Sequence, residues 1–147
     1  MRRGPWRKRP QNEHQKAIHL TDIAVAKMIR ERDQNCITCD EVHEAMDCGH
    51  FRRRELMSTR FHPMNLNAQG AKENRFEGGR TYEYGLAIDR KYGAGCAEFL
   101  NQLSRKIEPW TVQELEQLRS AARMGPRVFE QLYFEMRPAH RFPRAAE

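Results

Sequence analysis

The sequence predicts an α+β protein in which a short, turn-rich segment with two cysteines is packed on flanking α-helices. Apolar residues recur at helical spacing outside that segment, most regularly at Cys96, Phe99, Leu100, Leu103 and Ile107. Between Cys36 and Phe61, a Cys-x-x-Cys knuckle and Gly49 interrupt any helical register, which favours short strands in a small hairpin. We therefore expect two strands and a short helix to form a small core on a helical scaffold.

The amino-acid composition indicates what kind of molecule this protein binds. The 147 residues include 26 Lys and Arg against 20 Asp and Glu, a net charge of +6. This balance favours a polyanionic partner, first of all nucleic acid, although a merely soluble basic protein would have it too. The four cysteines come without an apolar signal-peptide core, which predicts reduced thiols in the cytosol. No apolar run approaches the ~18 residues of a membrane span, so no membrane partner is expected.

Three segments are expected along the chain. Residues 1–19 form a basic arm, because its first ten residues carry five Arg or Lys and no acid. The arm seeks DNA phosphates or is a solvated tail. Residues 20–124 form the main domain, and residues 125–147 form a C-terminal helix with a loose basic tail from Arg137 onward.

Caps and periodicity predict the helices. Four of them are a helix capped by Thr21 and running to Arg32, a short helix from Ala71 stopped by Gly78 and Gly79, a helix over Thr81 to Tyr92, and the helix of the Cys96 stripe. A fifth helix has a capping box at Thr111 and Glu114 and buries Leu115, Leu118 and Ala122. An antiparallel sixth helix follows Gly125-Pro126, with Phe129, Leu132, Tyr133 and Met136 on one face. Cys96 is expected to be a packing residue.

The knuckle Cys36-x-x-Cys39 supplies half of a tetrahedral zinc site. Cys48 is a candidate third ligand, with His43, His50 or Glu73 as the fourth, and spacing does not choose among them. Two other interpretations stay open, a knuckle that has lost its metal and a redox pair.

His50 is followed closely by a cluster of arginines. Hydrolysis of a phosphodiester needs a base for water, a divalent cation for the departing oxygen, and donors for the phosphoryl charge. His50, a Mg²⁺- or Mn²⁺-class ion and the arginines would supply these, and the arginines expected to contact phosphates are Arg52, Arg53, Arg54 and Arg60. A structural histidine beside a solvated charged face is the alternative.

These features together resemble a known family. The residues that carry the likeness are Ile37 within the knuckle, the run Asp47 to Arg52, Arg60-Phe61, Asn65, Gln69, Asn74, Gly78, the tyrosine-bearing helix and Pro109-Trp110-Thr111. In this order they resemble the NinG (Rap) recombination proteins of lambdoid phages over about Thr21 to Leu118. Those proteins are regarded as HNH-like endonucleases acting on branched DNA, so the resemblance implies a ββα-metal core.

The resemblance also implies roles. Cys36 and Cys39 match the first zinc pair, and His50 matches the presumed general base. Asn65 matches the asparagine that braces the hairpin and helps orient that histidine, while Asn74 matches a position resembling a catalytic-metal ligand.

The sequence departs from the family pattern near this site. Gly70 and Glu73 stand where the second Cys-x-x-Cys is found, Phe76 where a histidine or tyrosine is usual, and Cys48 where a small residue is typical. This implies that zinc is relocated or lost, and that Glu73 binds zinc or the catalytic ion. If His50 were a zinc ligand, it could not act as a base.

The expected function is a phage recombination endonuclease that cuts branched, Holliday-junction-like DNA in the cytoplasm of the bacterial host. A homodimer is plausible because a symmetric junction needs two cuts. One alternative is a nuclease-dead protein that holds branched or single-stranded DNA, and another is a structural zinc adaptor.

Overall fold

The computed structural model describes residues 12–143, so the predicted basic arm lies largely outside the described chain. The elements run in the order α1 Glu13–Arg32, β1 Met46–His50, β2 Leu66–Gly70, α2 Ala71–Phe76, α3 Thr81–Tyr92, α4 Cys96–Ser104, α5 Val112–Met124 and α6 Pro126–Met136. A mostly helical chain with one small sheet agrees with the predicted α+β class. Within the described residues, no helix is both long and apolar enough to cross a membrane.

Helix α1 begins at Glu13, and the prediction that Thr21 caps it is wrong. The cap is Asn12, whose side chain accepts a hydrogen bond from the Gln15 amide at 2.8 Å. Thr21 is buried inside the helix, and its hydroxyl lies 2.8 Å from the Ala17 carbonyl and 3.0 Å from the Leu115 carbonyl of α5. The hydroxyl thus ties α1 to α5, and the helix extends through residues assigned above to the arm.

The hairpin contains a longer connection than the sequence predicts. Strands β1 and β2 are antiparallel, with Met46 opposite Gly70 and His50 opposite Leu66. The second strand therefore follows Phe61, which corrects the expected hairpin within Cys36 to Phe61. Every residue of β2 is buried, so its sequence lacks the alternation that reveals a half-buried strand. Helix α2 follows at once and ends before Gly78 and Gly79, as predicted.

Two apolar cores support the hairpin. The larger lies among α1, α5 and α6 and includes Trp110 and Phe61, whereas the smaller joins α3 and α4 to Phe51. The capping box of α5 is present, and its predicted core residues are buried. Arg137 beyond the end of α6 pairs with Glu114 in the first turn of α5 at 3.0 Å, so these helices run antiparallel.

Helix α4 is shorter than its apolar stripe. Cys96, Leu100 and Leu103 are buried as predicted, but the helix ends at Ser104. Ile107 is 96% exposed, so its assignment to the core stripe is wrong. The amides of Arg105 and Lys106 bond to carbonyls three residues back, which closes the helix before Ile107 is reached.

The chain after α6 is anchored to the rest of the protein as far as residue 143, where the described chain ends. The prediction that the tail is loose from Arg137 onward is therefore wrong for these residues. His140 lies in a 3-10 turn and is 1% exposed. Its ring Nδ1 is 2.8 Å from the Tyr133 hydroxyl, its Nε2 contacts Glu108, and its carbonyl accepts a hydrogen bond from His62 Nε2 at 2.9 Å. These buried polar contacts are invisible in a proline- and arginine-rich sequence.

Candidate functional site

Four side chains form a cluster that could hold a metal ion. One ligand atom from each of Cys36, Cys39, His43 and Glu73 lies within 4.8 Å of every other. The Cys36 thiol donates to Glu73 Oε2 at 2.8 Å, and Cys39 Sγ lies 3.0 Å from His43 Nε2. Two sulfurs, one imidazole nitrogen and one carboxylate oxygen are donors that a tetrahedral zinc accepts.

Gly70 makes room for the histidine of this cluster. A Cβ at position 70 would lie 2.7 Å from His43 Cδ2 and 2.9 Å from its Nε2. Any side chain there would collide with the ring, since real Cβ contacts are essentially never that short. An imidazole from the loop before β1 therefore occupies the space above Gly70, and Glu73 of α2 lies beside it in the cluster.

Glu73 is held by groups outside the cluster. Thr38 Oγ1 donates to its Oε2, and Arg80 Nη1 donates to its Oε1 at 3.0 Å. Burial opposes ionisation of this carboxyl, but hydrogen bonds led by Cys36 and Thr38 outweigh it and lower the pKa to about 2. Glu73 is thus an anionic carboxylate whose orientation is fixed by its neighbours, as the orientation of a ligand is fixed by its outer partners in metal sites.

Cys48 is not part of the cluster, and so does not supply the expected third thiolate. It lies on β1 and packs against the larger core. Burial raises the pKa of its thiol to about 12, as in a packing cysteine. Phe76, at the other departure from the family pattern, is 82% exposed.

His50 lies in a separate cleft of about 290 Å³ between α1, the hairpin and α2. The polar and charged residues that line it are Asp22, Arg30, Asp47, Cys48, His50, Arg54, Arg60 and Asn74. His50 does not belong to the Cys/His/Glu cluster. The ring is therefore free of the zinc-ligand role that would preclude base chemistry.

The environment keeps the His50 ring neutral. Burial is the largest effect, and with the charges of Arg60 and Arg54 it lowers the pKa to about 4, against the opposing charge of Asp22. At neutral pH the imidazole is therefore unprotonated, which is the form that a general base requires.

Asp47 and Asn74, which carry side-chain oxygen atoms, line the same cleft. Asn74 Nδ2 donates to Asp47 Oδ2 at 3.0 Å, and Arg75 binds both carboxylate oxygens at 2.8 and 2.7 Å. Burial opposes ionisation, but these partners, Arg75 first, lower the pKa of Asp47. The pair joins β1 to α2 and lines the cleft that contains His50.

Asn65 lies outside the cleft and closes the loop between the strands. Its Oδ1 accepts from the Arg52 amide at 2.7 Å, and its Nδ2 donates to the carbonyls of Arg52 and Thr59 at 3.1 and 3.0 Å. Asn65 thus holds the two ends of the loop between β1 and β2 together. These contacts brace the loop between the strands, and the role of Asn65 in orienting His50 stays a prediction.

The four arginines expected to contact phosphates have different surroundings. Arg53 and Arg54 are exposed, whereas Arg52 Nε donates to Ser104 at 3.2 Å. Arg60 is paired with Asp22 of α1 and is only 13% exposed in its side chain. Exposed Arg30 lines the cleft and was not expected there.

Sequence reasoning missed Asp47, Arg30 and the choice of His43. His43 follows Cys39 by four residues, which made it one of several candidates, but only Gly70 shows where its ring fits. Asp22, Ala26 and Arg30 recur every four residues and share one helical face, a signal that could have been read. The pairing of Asp47 with α2 is tertiary and has no local signal.

The fold and cluster define a mixed helical protein with a small two-stranded sheet and a possible Cys/His/Glu metal site. Residues 2–131 match the model of a family described as "Bacteriophage Lambda NinG protein". The chain therefore belongs to the NinG family of bacteriophage proteins, which confirms the resemblance drawn from the sequence. Neither a curated protein nor a solved structure gives a significant match. The HNH-like core stays a prediction.

Proposed function

We propose that this protein is a metal-dependent endonuclease that hydrolyses branched recombination DNA, with His50 as its general base. The observation that supports this most strongly is a neutral, half-buried imidazole in a cleft that also contains a carboxylate, an amide and arginines. Such a perturbed histidine with charged partners in a cleft is typical of functional sites.

Each group has a chemical task. The free nitrogen of His50 takes a proton from water, and the resulting hydroxide attacks phosphorus while the P–O bond to the departing oxygen breaks. The proton needed by that oxygen returns from solvent. Exposed Arg30, Arg53 and Arg54 offer charge to the phosphates without reading bases, which suits recognition of branched shape over sequence.

Asp47 and Asn74 fit a Mg²⁺- or Mn²⁺-class ion, because hard cations prefer carboxylate and carbonyl oxygens. Such an ion, when bound, stabilises charge on the departing oxygen. Arg75 must then release the carboxylate, and its side chain is 62% exposed and able to move.

The Cys36, Cys39, His43 and Glu73 cluster is assigned structural zinc. It joins the loop before β1 to α2, the helix that also carries Asn74. Zinc would thereby fix the position of α2 relative to His50. Branched DNA, a homodimer and action in the host cytoplasm belong to the same proposal.

The test is single-turnover cleavage of four-way and flapped DNA with Mn²⁺. Wild type should cut, and His50→Ala should cut about 10²–10⁴-fold more slowly while binding DNA equally well. His19→Ala is the matched control, because His19 is an exposed histidine of α1 that does not line the cleft, and it should cut as wild type does. Failure of wild type to cut, or cutting that survives His50→Ala, would refute the proposal.

A second candidate is a protein that holds branched DNA without cutting it. It is favoured by the Arg75 and Asp47 pair, which satisfies the carboxylate without a cation. This candidate predicts salt-sensitive DNA binding with no cleavage by wild type or by Arg75→Ala. Cleavage that appears or rises in Arg75→Ala would exclude it.

A further inference from the structure

Ile107 is exposed on a turn that the rest of the protein holds in place. Its side chain is 96% exposed, more than any other large apolar side chain in the described chain. On one side, the amides of Arg105 and Lys106 bond to carbonyls three residues back at 3.2 and 3.1 Å. On the other side, Trp110 is buried and its Nε1 donates to the Met57 carbonyl at 3.0 Å. An anchored turn therefore presents an apolar side chain to solvent, and folding buries almost none of its surface.

This turn lies against the arginine-rich loop between β1 and β2. Ser58 Oγ donates to the Leu103 carbonyl at 2.8 Å, and Arg52 Nε donates to Ser104 Oγ at 3.2 Å. Arg54 of the same loop lines the cleft of the proposed active site. The turn is thus joined, through direct contacts with the loop, to a wall of that cleft.

Exposed cations accompany Ile107 on the turn and on the loop. They are Arg53, Arg54, Arg105 and Lys106. Within residues 12–143, none of their side chains forms a salt bridge. The nearby acids are exposed Glu55 and Glu108, whose carboxylate contacts His140. A partner for this surface needs negative charge beside apolar faces, and nucleic acid has both, in its phosphates and its bases.

We propose that Ile107 is a wedge that inserts between base pairs at the branch point of DNA, with Arg105 and Lys106 on the flanking phosphates. Apolar side chains, isoleucine among them, enter between base steps and partly unstack them. A continuous duplex must be unstacked to admit the wedge, whereas a branch point already interrupts the stack, so branched DNA is preferred. The inference rests on the proposed function, and it names a residue that selects branched DNA.

The first test is DNA binding without added divalent ion. Ile107→Ala should bind four-way and flapped DNA about 10-fold more weakly, because the burial of most of its side-chain carbons is lost, and linear duplex equally well. Met124→Ala is the matched control, since Met124 is a 72% exposed apolar residue of α5 that does not line the cleft. It should bind every DNA as wild type does. An unchanged preference for branched DNA in Ile107→Ala would overturn the wedge.

The second test observes the bases directly at saturating protein. 2-Aminopurine placed at the branch point reports unstacking by a rise in fluorescence. Wild type and Met124→Ala should produce that rise, and Ile107→Ala should not. Lys106→Gln should still produce it, but should lose about one unit of the salt slope of binding, as a phosphate contact does. A full rise with Ile107→Ala would contradict insertion.

Neither measurement requires cleavage, so the wedge and the proposed nuclease can fail separately. Selective loss of branched-DNA binding in Ile107→Ala, with a wild type that cuts no DNA, would retain the wedge and remove the nuclease. Cleavage by wild type, with an unchanged preference in Ile107→Ala, would do the reverse. Because Ile107 is so exposed, its variant should unfold at the same urea concentration as wild type, which separates lost binding from lost folding.

Discussion

At the scale of single residues, the metal cluster depends on where one ring can fit. The sequence predicted Cys36 and Cys39, offered Cys48 as the third ligand, and could not choose among His43, His50 and Glu73 as the fourth. That choice is made by the space above Gly70, which only the fold creates. Candidate ligands that lie close together in the sequence are predictable. A candidate such as His43, which fits only because a distant residue has no side chain, is not.

His43→Ala is expected to lower bound zinc from about one equivalent to well under half, because three ligands hold zinc far less tightly than four. Cys48→Ala should retain zinc, since its thiol packs in the core. Metal analysis of both purified proteins checks this. Zinc lost from Cys48→Ala and kept by His43→Ala would contradict the assigned ligand set.

Gly70 offers a rescue of the same site. Gly70→Ala should lose zinc because its new Cβ would displace the His43 ring. The double variant Gly70→Cys with His43→Ala should regain zinc, since a thiol then replaces the imidazole in the space that the ring leaves. Equal zinc in Gly70→Ala and wild type would show that His43 is not a ligand.

At the scale of elements, the helices were predictable and the second strand was not. Helix α5 has a cap, a capping box and an apolar face in its own sequence, so local physics specifies it. Strand β2 buries Asn67 and Gln69, whose partners come from distant elements such as α3 and the turn at Gly79. Its identity as a strand is decided by those contacts.

Tyr84 shows how α3 is joined to the hairpin. Its hydroxyl donates to the Gly49 carbonyl at 2.9 Å and accepts from Asn67 Nδ2 at 3.2 Å, in a fully buried setting. Tyr84→Phe should lower the free energy of unfolding by about 1–3 kcal/mol, because both groups lose a partner. Tyr82→Phe on the same helix is 76% exposed and should change it by less than about 0.5 kcal/mol. Urea unfolding of both variants measures this, and equal stabilities would contradict the role given to Tyr84.

At the scale of the whole molecule, tertiary packing shields two histidines in different parts of the fold, His62 against the anchored tail and His50 in the cleft. Burial lowers the pKa of His62 to about 3 and that of His50 to about 4. No local pattern around His62 indicates its burial, because its partners are the Tyr133 ring and the His140 carbonyl. Throughout this chain, sequence-based prediction missed the burial of polar residues whose partners are distant in sequence.

These histidines predict a loss of stability in mild acid. In the unfolded chain these histidines are protonated below about pH 6.5, whereas in the folded protein they stay neutral down to about pH 4 or lower. The free energy of unfolding therefore falls across that interval as the pH falls. Two such groups should cost about 2 kcal/mol between about pH 7 and pH 5.5. Urea unfolding at both pH values checks this, and His62→Gln should show a smaller difference. Stability that is flat over this interval would contradict the burial of both rings.

The most direct test of the central claim is the His50-dependent rate of DNA cleavage at about pH 5.5 and about pH 7.5, measured in single turnover on a four-way junction with Mn²⁺. Because the ring stays neutral at both values, wild type should cut at both, and His50→Ala should be at least about 10²-fold slower at both. Cleavage that is absent from wild type, or that does not depend on His50 at either pH, would contradict the claim that this imidazole activates water.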